Sequence, residues 1–408
     1  MKLKIALLIL LTLLVLSVTA AIDNRFYKEI PVDATEKDGV SYIPLTYGFE
    51  NVNSAWGSIG ITDKGLIYVV TCDHMTDAAV YEYNTKNSKL FFLGRMENHF
   101  HNRFHSQRQP KVHTPLFQYS KDGLVYFGTD AGDESEGLLY GHFDEGYAGG
   151  FLAAINPETK EVKGLGLAKK MGGTKALILD QKNGLLYFPT SPECNLYKYD
   201  INNDNLKNLG RINGEKVIRT MFADKWSNIY SSTEIGELVR YNFAKDSIEY
   251  LGVRPFGAPN TGPSQIAYAA DSSFIVGYNA YSGIISRYYP EKNGAGSTEE
   301  LGNLFPADKK VMARSLNYYN GKIYTICTSI EEDNFDKRFR YLLIYDIEQK
   351  KEIKRINLDP RIHQVYGHSI TDSKGNIYFC GFWDSGDYGP VVEGQKRCFL
   401  IKINTKKL

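Results

Sequence analysis

KVHTPLFQYSKDGLVYFGTDAG, residues 111–132, holds one strand, a tight turn at Lys121-Asp122-Gly123 and a second strand ending in Tyr-Phe-Gly-Thr. Apolar and aromatic runs on either side of an Asp-Gly turn are a hairpin signal. The same grammar returns along most of the chain, so the hairpin is one copy of a repeat. A histidine, His113, stands at the mouth of its first strand.

Each copy adds a third strand of the Leu-x-x-Tyr-Asp type and a fourth that closes on Leu-Gly. Third strands end at Tyr83-Asn84, Ile155-Asn156, Tyr199-Asp200, Tyr241-Asn242, Tyr288, Tyr345-Asp346 and Ile403-Asn404. Closures fall at Leu93-Gly94, Leu165-Gly166, Leu209-Gly210, Leu251-Gly252, Leu301-Gly302 and Ile356-Asn357-Leu358. Seven small sheets that cannot each bury two faces predict an all-β fold, a seven-bladed β-propeller with four-stranded antiparallel blades. Two stacked β-sandwiches would not give one period along the whole chain. Blade seven lacks its fourth strand. The N-terminal lead, around residues 41–47, is expected to supply it and close the ring, because closure protects sheet edges.

Length and composition fit one large domain over residues 21–408. Of 408 residues 13% are aromatic, which favours strands, and the formal net charge of +1 gives no overall attraction to nucleic acid or anionic membrane. Residues 1–20 read as a signal peptide: Lys2 and Lys4 precede an apolar run from Ile5 to Leu16, and small residues surround a cut after Ala20 or Ala21. No later segment has the length and apolarity of a membrane span. A secreted or periplasmic monomer is expected. The five cysteines, Cys72, Cys194, Cys327, Cys380 and Cys398, form no CxxC pair and read mostly as small buried residues, with a Cys380-Cys398 bridge left open.

In such a blade the interblade connections share one face with the loops between second and third strands. The long insertions, 95–112, 130–150, 329–340 and 383–397, all fall there, which makes it the expected functional face. Aligning the inner strands by their apolar cores gives one mouth residue per blade: Gly57, His113, Lys175, Arg219, Gln265, Arg314 and His368. Five of these can carry positive charge and none negative, so the ring is expected to attract an anionic ligand. The rest of the histidines, His74, His99, His101, His105, His142 and His363, fall on the same face. Their spacing matches no metal motif, although a calcium or zinc ion in the channel would leave no sequence trace.

The ring offers no pair of carboxylates, which ordinary glycoside hydrolysis needs. Histidine, tyrosine and a cation suit β-elimination on a uronate glycan. The cation neutralises the carboxylate and acidifies the C5 proton, a neutral His or Tyr removes that proton, and a Tyr or second His protonates the departing O4. No cofactor is required.

At these residues the chain resembles a known group. Lys111-Val112-His113-Thr114, Val125-Tyr126-Phe127-Gly128-Thr129, His142 ahead of Gly146-Tyr147-Ala148-Gly149-Gly150-Phe151, and Asn156-Pro157-Glu158-Thr159-Lys160 look like the secreted propeller lyases that cleave ulvan, polysaccharide lyase families 24 and 25. The chain is similar too to the related propellers acting on rhamnose-α-1,4-glucuronate, which include lyases and the rhamnosidases of glycoside hydrolase family 145. The resemblance implies a pair of catalytic histidines, a tyrosine and a charge-neutralising arginine. His113 and His142 match by motif, Tyr187 by its place after blade two, and Arg219 by its place in the ring. His74, Tyr147, Lys175, Gln265, Arg314 and His368 are the expected substrate contacts. The sequence departs from the pattern in Phe151, where many relatives have a histidine, and in a longer stretch between His113 and His142. The reading that follows is a polysaccharide lyase acting on a uronate-containing, rhamnose-linked glycan. An α-L-rhamnosidase and a non-catalytic acidic-glycan-binding propeller are the alternatives.

Overall fold

The computed structural model describes residues 27–408 except 33, 35, 46–53, 73–76, 97, 100–108, 110, 131–148, 171, 192, 213–220, 257–264, 269–272, 279–281, 305–310, 330–338, 360–361 and 384–397. Seven antiparallel sheets follow one another around a ring, a seven-bladed β-propeller. Blade two is the plain case: Phe117–Gln118, Val125–Gly128, Gly149–Ile155 and Val162–Lys170 lie side by side in chain order. Among the described residues no helix is long and apolar enough to cross a membrane.

Apolar residues collect between blades rather than at the ring's centre. Seven buried clusters occur among the described residues, one at each blade-to-blade interface. The cluster between blades one and two packs Tyr68, Val70 and Val80 against Leu116, Phe127 and Phe151. Strand alternation explains the pattern: each blade is apolar on both faces, and only neighbouring blades can cover them. The centre is left to polar side chains.

The chain closes the ring as the repeat predicts, and adds to it. Val40–Pro44 pairs with Cys398–Asn404, Ile43 opposite Leu400, and so becomes the fourth strand of blade seven. Glu36–Lys37 adds a fifth strand there, and Lys28–Ile30 adds one to the outer edge of blade one, beside Lys89–Arg95. Blades one and seven therefore exceed the expected four strands, and the N-terminal lead grips the closing seam from both sides. Inside that seam Gly57, at φ 82°, meets Gly367, at φ 74°; a Cβ on Gly57 would lie 2.6 Å from the Gly367 Cα and from the His368 nitrogen.

All five cysteines are buried thiols. Cys380 lies opposite Leu400 while Cys398 lies opposite Phe382, so the two sit offset along the ladder and the Cys380-Cys398 bridge does not form. Burial pushes the Cys380 thiol up to about 12.

Candidate functional site at the ring mouth

Five inner strands break at the mouth. In blade one the gap lies between the Ser54–Cys72 bridge and Ile59–Ile61, and in blade two between the Lys111–Asp130 bridge and Phe117–Gln118. Blades three and six split into Gly173–Thr174 and Ile178–Asp180, and into Val311–Ala313 and Asn317–Tyr319. The blade seven ladder shifts register between Val365 and Ser369. Gly57, His113, Lys175, Arg314 and His368 lie one in each break. In blade five Gln265 is the first residue of the described strand Gln265–Tyr268 and pairs with Tyr278; the residues before it, 257–264, lie outside the described residues.

Backbone groups released by a break still need partners. Several find them on the neighbouring blade: Leu116 N donates to Ile59 O at 3.2 Å, and Gly367 N to Arg314 O at 2.7 Å. Hydroxyls that follow mouth residues serve the same end. Thr114 Oγ1 donates to Gly128 O across its gap at 3.1 Å, and Ser369 Oγ to Leu316 O of blade six at 2.8 Å.

A continuous chain of contacts crosses these breaks. The Arg314 guanidinium lies 5.4 Å from the Tyr366 ring centre while its Nη1 donates to Gln364 Oε1 at 3.0 Å. Tyr366 meets Trp56 edge to face at 5.3 Å, and Trp56 meets the His113 ring at 6.0 Å. His113 Nδ1 lies 3.1 Å from Asp130 Oδ2. Asp130 Oδ1 in turn lies against Gly173 of blade three, two residues before Lys175. These contacts link blades six, seven, one, two and three.

Asp130 is a residue of the candidate site that sequence reasoning missed. It closes the very stretch that reads as the model repeat, directly after strand two, where it looks like an ordinary strand end. Pairing with Lys111 brings it beside His113, because residues 111 and 113 share a side of the strand. Both side chains of the pair are nearly sealed, 2% exposed for His113 and 3% for Asp130. Lys111 was also passed over, although it is only 1% exposed and faces Asp130 across the ladder.

The charge of the ring is smaller than the residue types suggest. Burial pushes the partly buried His368 imidazole down to about 4, so it is neutral at physiological pH. His113 carries its own counter-charge in Asp130. Lys175, 6% exposed, and Arg314 remain as described cations of the ring. His74, His142, Tyr147 and Arg219 lie outside the described residues, as does the signal peptide.

Tyr187 belongs elsewhere. It is the blade three copy of a repeat tyrosine whose counterparts brace the opposite face: Tyr126, Tyr230 and Tyr378 donate to Asp122, Asp224 and Asp372 in their own first turns. Tyr187 pairs with Ile178, three residues along the strand from Thr190 at the mouth, and is fully buried in the cluster between blades three and four. Its hydroxyl has no hydrogen-bond partner, and burial pushes its pKa far up. Tyr187→Phe is therefore expected to leave any mouth activity unchanged and to raise stability by about 1 kcal/mol, read as a higher unfolding midpoint.

No family model matches the chain, and no curated protein matches it. Solved structures do. A fungal alcohol oxidase of the AA5 family, in complex with copper, is 11% identical at a TM-score of 0.55, covering 93% of this chain and 77% of that one. A chain from a nidogen/laminin complex is 11% identical at a TM-score of 0.43, covering 72% and 94%. A luciferin-regenerating enzyme is 10% identical at a TM-score of 0.44, covering 71% and 90%. The first of these likenesses shows the propeller fold alone.

Proposed function

We propose that the protein is a secreted polysaccharide lyase that cleaves a uronate-containing, rhamnose-linked glycan by β-elimination at the ring mouth. The observation that carries this reading is the His113–Asp130 pair beside Trp56 and one step from Lys175. In the proposed cycle a neutral His113 takes the C5 proton. A mouth cation neutralises the uronate carboxylate; Lys175 and Arg314 are the described ones, and Arg219 was the sequence choice. The acid that protonates O4 is His142 in this reading, since Tyr187 faces away. Trp56 supplies an aromatic wall of the kind that sugars pack against. Secretion rests on the pattern of residues 1–20, and the rhamnose linkage on the resemblance of blades two and three.

Screening purified protein against ulvan, gum arabic, heparan and pectic fragments tests the reading. The expected result is an ultraviolet-absorbing unsaturated uronate from at least one of them. Free rhamnose without ultraviolet absorbance would overturn it in favour of hydrolysis. Binding of acidic oligosaccharide with the chain left intact would overturn it in favour of a non-catalytic propeller.

A further inference from the structure

We propose that Asp130 is a positioning residue: its carboxylate fixes His113 as the Nδ1–H tautomer, and Gly173 of blade three is the buttress that holds that carboxylate in place. The inference deepens the reading of His113 as the base and rests on it for its catalytic meaning, but not for its structural content.

A carboxylate accepts hydrogen bonds and does not donate them. At 3.1 Å from Asp130 Oδ2, Nδ1 must therefore carry a proton, and in the neutral ring that puts the imidazole lone pair on Nε2. The geometry leaves the pair little freedom. Asp130 is tied through its backbone, its N donating to Lys111 O at 2.9 Å. Its other carboxyl oxygen is set by blade three: a Cβ on Gly173 would lie 2.0 Å from Asp130 Oδ1 and 2.9 Å from its Cα. Only a glycine admits Asp130 this close. Nearby bonds lock the two blades, with Thr174 N donating to Thr129 O at 3.1 Å and Gly150 N to Gly172 O at 2.6 Å. The blade two to blade three interface thereby decides which nitrogen of His113 can act. Asp130 Oδ2 is turned to His113 Nδ1 and Oδ1 to Gly173, so its part is orientation rather than proton transfer to substrate.

Long-range proton–nitrogen correlation spectra of the histidine-labelled full chain test this without any substrate, His113 being assigned by its absence in His113→Gln. At a pH where His113 is neutral, the wild-type ring is expected to be almost wholly Nδ1–H. In Asp130→Ala, which removes the acceptor, and in Gly173→Ala, which displaces it, a majority of Nε2–H is expected. An Nε2–H ring in the wild type, or a tautomer unchanged in both variants, would overturn the proposal. The substrate screen is independent of this outcome: a fixed tautomer without elimination products would count against the lyase reading alone. Elimination with the wrong tautomer would count against Asp130's role alone. Where a glycan is cleaved, Gly173→Ala is further expected to lower kcat by about 10²-fold while KM stays within a few-fold.

Discussion

Replacing His113 by glutamine is expected to lower elimination turnover by about 10³-fold on whichever uronate glycan the protein cleaves, since general acid–base catalysis contributes 10²- to 10⁴-fold. The measurement is the initial rate of ultraviolet-absorbing product, with KM little changed. Turnover within tenfold of wild type would place the base elsewhere. The structure also alters what His113→Ala does to the fold. From sequence, His113 reads as a mouth residue. In the structure, its removal takes one hydrogen-bond partner from a sealed Asp130 carboxylate, so about 1–3 kcal/mol of stability should go with the activity. Glutamine, which can offer Asp130 a side-chain amide, is the cleaner substitution for that reason.

Gly57→Val is expected to destabilise the fold by about 3–5 kcal/mol. A β-branched residue held at positive φ costs roughly 1–3 kcal/mol, and overpacking a similar amount again. Gly57 sits at φ 82°, and the atoms a Cβ would strike at 2.6 Å are backbone of Tyr366, Gly367 and His368, which no rotamer change can clear. Relief would require moving blade one away from blade seven, at the seam the N-terminal strand closes. The expected observation is a lower unfolding midpoint in denaturant, with Gly123→Ala as a contrast. Gly123 has a similar φ of 75° with nothing within 4 Å of a Cβ, so it reports the backbone cost alone. Equal losses in the two variants would show that the seam tolerates the extra volume.

Much of this was legible in the chain. The Asp-Gly turns, the strand-two tyrosines and the Leu-Gly closures recur because every blade solves the same local problem with the same short-range chemistry. The missing fourth strand of blade seven was itself a signal, answered by Val40–Pro44. The mouth residues of blades one, two, three, six and seven could be chosen by alignment because each stands beside the same apolar core. Tyr187 could not be placed from the sequence because its type suits catalysis, while its position is that of a buried repeat tyrosine.

By itself the sequence determined the propeller, the number of its blades and the strand that closes it, because these follow from periodicity and from local turn chemistry. Tertiary structure alone decided that Asp130 lies on His113 and that Gly173 lies on Asp130. It also decided that burial lowers the pKa of His368 and that Tyr187 is turned into the core. Those outcomes depend on how two blades meet. Burial, tautomer and charge state are set by neighbours distant in the chain, such as residues 130 and 173, whose approach no local pattern encodes.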